Sequence, residues 1–517
     1  MIRNLLKLSL LPLVFIGFNS VKAQVLWEET EEDESYIDYL GELSGNHLYR
    51  IYDGYFHSEE KFNYAVYRIY NESTQEVLKS FEPECGIILM DFVKNDTLYM
   101  VSNDYMRDSK EYQIRLWRFN SKLEEIDKKT IHSWVNLIGP QSVRAKVDKS
   151  KKYIVITQLN SIGAGRKTFE TVSLVSLADQ KMLFSNTYRR SWNDFDFFRY
   201  RNRNMSELLV AENGDVYLCS DNGLLYCFLR EQNFNLWQLN MRPKDLSAFK
   251  LLAGSELSVL NDTTLLYTAE ILDYQGYVKR PTFWAMKTIR SGLVAVQIDS
   301  RTQLLSLKEM KTVNDAQKGF KTSWYGDKER PGLKQMRPIV FRSEDGKRIY
   351  RITEEIQQEL GENRWLAYNM FSDLYLSVFD LNGNLMDSQK ISKRQIAMNF
   401  TQNGGSYFYR EEKGMLYIGY YELPEDEKTG SNIALQSGRD NFEDEKYLEK
   451  AQLKVVTYNP ELKSLENKVY GSQLFLEDYY LATSRFQSLQ GEEPIKTFIS
   501  KKNKFALGRL INLPFVN

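Results

Sequence analysis

Residues able to do chemistry are few in this chain, and their spacing favours binding over catalysis. Three histidines and three cysteines occur in 517 residues. No HExxH, CxxC pair, Walker loop, GxSxG or EF-hand spacing is present. His47 reads as a strand residue. His57 and His132 fall in connections of neighbouring repeats, where they could share a pocket. Two imidazoles without a spaced third ligand do not make a metal site, so neither a metal nor a cofactor is expected. Acids are abundant, and a glycosidase-type pair could be drawn from Glu354, Glu355, Asp426 or Asp440. No spacing selects among them.

The densest recognition chemistry lies in 189–205, RRSWNDFDFFRYRNRNM. Arg189, Arg190, Arg199, Arg201 and Arg203 alternate with Trp192, Phe195, Phe197, Phe198 and Tyr200. Guanidinium forks hold carboxylates or phosphates, and aromatic faces stack on sugars or cations. The plainer reading packs the aromatics under their own loop and pairs the arginines with Asp194 and Asp196. A second aromatic and basic stretch, 311–338, carries Trp324 and Tyr325. The candidate binding set is therefore His57, His132, Arg189, Arg190, Trp192, Arg199, Tyr200, Arg201, Trp324 and Tyr325.

The elements that must position these residues are repeated hairpins. Polar turns recur at Gly45-Asn46, Asn95-Asp96, Lys149-Ser150, Asn213-Gly214, Asn261-Asp262, Asp345-Gly346 and Asn403-Gly404, each followed by a β-rich run such as HLYRIY or RIYRIT. A second hairpin follows each first one, for example YAVYRIYNESTQEVLKSF (64–81) and LYLSVFDLNGNLMDSQKI (374–391). Four strands per repeat, A to D with A innermost, predict an all-β chain. We expect a single β-propeller of seven or eight four-stranded blades, eight being preferred. Residues 474–486 and 495–511 would build the eighth blade, and VLWEE (25–29) would close it.

In such a meander the A–B and C–D turns lie on one face, and the B–C and D–A connections on the other. The long connections are 53–63, 103–111, 132–141, 159–168, 189–205, 241–256, 273–292, 311–338, 354–373, 392–395 and 410–452, all B–C or D–A. One face is plain and the other carries elaborated loops, where binding is expected. EEIQQEL within 354–373 reads as a short helix, and the middle of 410–452 as a mobile flap.

One repeat resembles those of quinoprotein-type propellers. In 212–239 the matching residues are Gly214, Val216, Tyr217, Gly223, Leu225, Tyr226 and Trp237. The resemblance covers one blade and implies the propeller fold. Quinone enzymes of that family use adjacent cysteines and a calcium site, and this chain has no adjacent cysteines. The family also holds non-enzymatic assembly and scaffold proteins, which fits better. WD repeats, kelch double glycines and sialidase Asp boxes are not apparent.

Bulk properties bound the rest. Arg3, Lys7, the apolar run 8–18 and Val21-Lys22-Ala23 read as a signal peptide over 1–23, with the propeller domain over 24–517. Cleavage there would leave 494 residues and remove Arg3, Lys7 and Lys22, moving the formal charge from −1 to −4. No later run is long and apolar enough to span a bilayer. The charge balance argues against nucleic acid. Cys219 and Cys227 flank Asn222-Gly223. A two-residue turn would set Cys219 opposite Tyr226 and send the sulfurs to opposite faces, and a wider loop would leave a disulfide open.

The sequence thus points to an exported, periplasmic or extracellular, non-enzymatic binding propeller. Its partner would be an envelope protein or a glycan held by the loop-rich face. The alternative is a carbohydrate-active hydrolase or lyase with its site at the central channel of that face.

Overall fold

The structure is a computed structural model. It describes residues 23–28, 35–53, 65–74, 76–135, 142–162, 167–189, 207–219, 223–246, 250–261, 263–279, 284–312, 333–360, 367–393, 395–398, 407–422, 452–470, 479–481, 487–488, 495–500 and 505–510. Among these, the strands form eight sheets, each built on a four-stranded meander. Blade 1 runs Ser35–Leu43, Asn46–Asp53, Ala65–Asn71 and Glu76–Phe81. Blade 2 runs Ile87–Lys94, Thr97–Met106, Glu111–Phe119 and Glu125–Val135. Blades 3 and 4 span 142–189 and 207–240 in the same order.

Among the described side chains, blades 2 to 6 are buried against a neighbour on each face, so their inner strands read as apolar runs and the outer ones do not. The C strand of blade 1 is largely buried, while its D strand is exposed. Successive apolar clusters link blades 1 and 2, 2 and 3, 3 and 4, 4 and 5, 5 and 6, and 6 and 7. The A strands of blades 1 to 6 touch in turn, which places them around the axis. The eighth sheet joins both ends of the chain: Tyr479–Leu481, Ile495–Ser500, Phe505–Leu510 and, outermost, Ala23–Glu28. Gln24 pairs with Arg509, and Glu28 with Ala506. This sheet also touches the A strand of blade 1, so the ring closes as a β-propeller.

The A–B turns are tight where the chain permits positive φ. Ser44-Gly45, Asn95-Asp96 and Lys413-Gly414 all have both residues at positive φ, the twist that a two-residue hairpin needs. Lys413-Gly414 corrects the sequence reading of the seventh repeat. YFYRE is not its B strand: Phe408–Glu412 is the A strand and Met415–Glu422 the B strand, paired Glu412↔Met415. Asn403-Gly404 lies outside the described residues. The blade's outer pair is Gln452–Asn459 and Ser464–Tyr470.

Several connections expected as loops are extended hairpins. In blade 5 (A strand Lys250–Asn261) the B and C strands, Thr264–Lys279 and Trp284–Asp299, are 16 residues each and pair out to Lys279↔Trp284. The A strand stops at Lys250↔Asp273, and the D strand Leu305–Thr312 at Gly292↔Thr312. The paired ribbon therefore rises about 20 Å above the four-stranded part, at about 3.4 Å per residue. Blade 6 (A strand Leu333–Arg342) extends with its A strand: Arg348–Leu360 pairs with Ala367–Asp380 as far as Leu360↔Ala367, and with the A strand as far as Leu333↔Gln358. EEIQQEL is thus strand, not helix, because tertiary pairing outweighs weak helical propensity. The D strand Leu385–Ile391 ends early, and Gln395–Met398 takes over as a strap beside Tyr368–Phe371.

Cys219 pairs with Leu225 and Cys227 with Tyr217, one residue out of the expected register. Cys219 opposite Leu225 leaves the odd number of five residues between them, so Asn222-Gly223 is not a two-residue turn, and the Gly223 carbonyl accepts the Met241 N–H at 2.7 Å at the start of the C strand. Neither thiol forms a disulfide, and both lie in the same apolar cluster between blades 4 and 5, on one face rather than two.

Candidate functional site

The chemistry-bearing side chains of the described residues gather in the upper halves of the seams around blade 6. In the lower half of the seam between blades 5 and 6, Leu260, Leu266, Leu293, Ala295, Ile349 and Phe379 make an apolar seal. Above it, strand alternation carries Thr268 and Glu270 of blade 5 toward Arg351, Thr353, Glu355, Asp373 and Tyr375 of blade 6.

Glu270 and Arg351 are both fully buried and lie 2.5 Å apart. Arg351 also donates from Nε to Thr268 Oγ1 at 2.9 Å, from Nη2 to the Gly254 carbonyl at 2.6 Å, and to the Thr353 hydroxyl. Arg290 Nε donates to the second Glu270 oxygen at 2.6 Å. A bulge at Ser291 brings Arg290 there, since Ile271 pairs with Gly292 but Leu272 pairs with Arg290. Without the extra residue Arg290 would face blade 4. Burial alone would push the Glu270 carboxyl up. The guanidinium groups of Arg290 and Arg351 outweigh it and hold the group below its ordinary value.

The cluster continues outward. The Arg290 guanidinium lies 3.8 Å over the Tyr375 ring, and Tyr375 donates its hydroxyl to Glu355 at 3.2 Å. Burial, with Glu355 and Asp373 beside it, drives the Tyr375 phenol well above its usual range. Lys390 Nζ meets Asp373 Oδ2 at 2.9 Å. On the other face of blade 6, fully buried Lys393 is ion-paired with Glu354, with the Tyr407 and Tyr420 rings 5.8 and 5.9 Å from its Nζ.

Glu354 and Glu355 are therefore held inside two seams and face no central channel. Asp426 and Asp440 lie outside the described residues. On the axial side of blade 7, Gln487–Ser488 adds a short parallel strand inside Phe408–Glu412. A smaller cluster sits between blades 1 and 2. Arg50 bridges Asp38 and Asp91, both at 2.7 Å, and Tyr67 donates to Asp91 at 2.7 Å.

Most of the expected binding set falls outside the described residues: His57, Arg190, Trp192, Arg199, Tyr200, Arg201, Trp324 and Tyr325. Arg189 ends the D strand of blade 3, exposed and paired with Phe169. His132 does not open a loop. It sits within the D strand Glu125–Val135, paired with Ile114, its ring 5.6 Å from Trp134, and burial lowers its basicity. The strand Glu125–Val135 runs four residues past the expected end, which is why His132 is captured by the sheet. Among the described residues no group of three metal-ligating side chains occurs, and no helix is long and apolar enough to cross a membrane.

The Glu270, Arg290, Arg351 and Lys393 constellation was missed by sequence reading. Its signal was a charge within or closing an apolar strand, as in RIYRIT and LLYTAE. Such a residue inside a two-sided strand needs a buried partner.

No protein-family model and no curated protein sequence matches the chain. Solved structures align over nearly the whole chain at low identity. BamB from Moraxella catarrhalis aligns at TM-score 0.37 and 8% identity over 95% of this chain and 99% of its own. Sqt1 of Saccharomyces cerevisiae aligns at 0.42 and 9% over 95% and 100%. The WD40 domain of SCAP from fission yeast aligns at 0.37 and 8% over 96% and 99%.

Proposed function

We propose that this chain is an exported binding propeller that holds an envelope protein or a glycan on its upper face. The observation that carries the reading is one-sided elaboration. The plain face is closed by short turns, while blades 5 and 6 raise their B and C strands above the ring on the other. Rigid scaffolds that extend one face present that face to partners, and propellers are common interaction scaffolds. The buried ion pairs beneath blades 5 and 6 support the extensions by fixing the angle between the two sheets. Arg189 and the aromatic and basic residues that follow it would supply the anchors.

The test uses the full chain and two variants. One replaces 275–287 with Asn-Gly, which keeps Tyr274 opposite Thr288, and the other carries Trp192→Ala, Arg199→Ala and Arg201→Ala. Each is assayed on a glycan array and by crosslinking to isolated envelope. We expect at least a tenfold loss of capture in one variant, the scale on which interface anchors act, with an unchanged melting temperature. Equal capture by all three chains would remove the upper face from the reading. Turnover of an arrayed glycan would replace it with the hydrolase or lyase alternative.

A further inference from the structure

We propose that Asp373 is a pH-operated latch on the upper edge of blade 6, holding the crossover into the strap Gln395–Met398 when protonated and loosening it when ionised.

The geometry places Asp373 at the point where blade 6 changes its outer strand. The D strand ends at Ile391, and by Gln395 the strap has begun pairing with Phe371. Between Glu354↔Leu374 and Ile356↔Phe371 the B–C register slips, leaving Ser372 and Asp373 against the single residue Glu355. Strand alternation from Tyr375 turns Asp373 inward, where its side chain is 2% exposed. Oδ2 takes the Lys390 ammonium of the D strand, and the Lys393 backbone N–H of the crossover also supports the carboxylate. Oδ1 has no hydrogen-bond partner among the described residues. One carboxyl thus touches the last turn of one outer strand and the lead into the next.

The groups facing it decide its charge. Blade 5 presents Arg290, already held by Glu270 and lying over Tyr375. The B strand presents Glu355, the C strand Tyr375, the D strand Lys390, and the crossover Lys393, whose own ammonium is taken by Glu354. A second acid is close, and the one ammonium in contact is itself 32% exposed. Burial, reinforced by Glu355, pushes the Asp373 carboxyl up to about 6 against the pull of Lys390. A solvated aspartate titrates near 3.9. The closed arrangement therefore binds the proton more tightly than any arrangement that carries Asp373 into water. By linkage, falling pH favours closure, fully so below about 4, and that contribution is lost as pH rises through about 6.

Amide hydrogen exchange across 385–398, with rates corrected for intrinsic chemistry, reads the latch directly in the full chain between pH 4 and 8. Wild-type protection should fall as pH rises from about 4 to about 6, by up to about tenfold per pH unit for one linked proton, and level off above that. Protection in blade 5 residues 265–272 should stay level. Asp373→Asn keeps the volume and mimics the protonated form, so its protection should be high and flat. Lys390→Gln removes the favourable ammonium, so its midpoint should move to higher pH. Flat wild-type protection would overturn the latch, and so would a transition surviving in Asp373→Asn. Should Asp373→Asn fail to fold, an unmoved midpoint in Lys390→Gln would overturn it equally.

Discussion

Two arginines in nearly the same hexapeptide, HLYRIY (47–52) and RIYRIT (348–353), enter opposite kinds of seam. Arg50 reaches forward to Asp91 of blade 2, whereas Arg351 reaches back to Glu270 of blade 5. The turns before them differ. Blade 1 uses two residues, Ser44-Gly45, between Leu43 and Asn46. Blade 6 bonds Ser343 N–H to the Arg348 carbonyl across four residues. Blade 1 also carries a slip between Tyr39 and Gly41. A strand has a period of two, so an odd displacement sends the same side chain to the other face. The environments then diverge. Arg50 and Asp38 keep 19% and 24% of their side chains in water, while Arg351 and Glu270 keep none. The same ion-pair chemistry is a partly wet tie in one seam and an all-or-nothing commitment in the other.

The sharpest way to break the comparison is to remove the acid of the dry seam. Glu270→Gln leaves Arg290 and Arg351 buried without their counter-charge, and should cost about 3–5 kcal/mol in urea unfolding. A loss under about 1 kcal/mol would mean that the two seams are equivalent. Replacing all three together, Glu270→Leu, Arg290→Met and Arg351→Met, should lie much closer to wild type, because no orphaned charge remains. The pH dependence has a definite sign. Glu270 is held below its ordinary value, so its contribution is present above about pH 4.3 and lost as pH falls through its folded value. The Gln variant should lack that acid-sensitive part.

The wet seam should respond less. Arg50→Met leaves Asp91 still accepting the Tyr67 hydroxyl, and leaves Asp38 facing solvent. Loss of charge-assisted hydrogen bonds of this kind costs about 1–3 kcal/mol. An effect equal to that of Glu270→Gln would show that partial exposure does not relieve the pair.

How much of this was legible beforehand depends on which signal carried it. Turn chemistry revealed six of the seven internal hairpins through Gly, Asn, Asp and Lys-Ser turns, and the alternation after them revealed the blades. It failed at Lys413-Gly414, where lysine adopts a left-handed φ of 53° and no Asn or Asp announces it. The terminal strands were legible as leftover β-rich runs, and Ala23–Glu28 pairs where closure required it. Register was not legible. Whether Cys219 faces Leu225 or Tyr226, and whether an arginine points forward or back, turns on one residue of loop length or one bulge. The buried ionic site depends on register at Ser291 and Glu355, so no motif could announce it. The arginine and aromatic stretch after Arg189 remains a proposal, because its residues lie outside the described set.

The smallest expected effect sets the scale for the other two. On the rim of blade 2, Arg118 forks onto Asp127, with Nε to Oδ1 at 2.7 Å, and Gln180 of blade 3 donates to the same carboxylate at 3.2 Å. The Arg118 hydrogen bond holds Asp127 below its ordinary value. Its contribution is therefore present above about pH 3.9 and lost as pH falls through the lower folded value. Both side chains are about a third exposed, so water and salt compete for each partner. Arg118→Ala should cost no more than about 1 kcal/mol at low ionic strength, and less in 0.5 M salt. Asp127 takes two bonds from one guanidinium and Glu270 takes one from each of two, so each carboxylate accepts two arginine hydrogen bonds while burial changes. If Arg118→Ala approached the cost of Glu270→Gln, bidentate contact rather than desolvation would govern these seams. If it falls near zero, burial is what separates a tie at the rim from a commitment in the core.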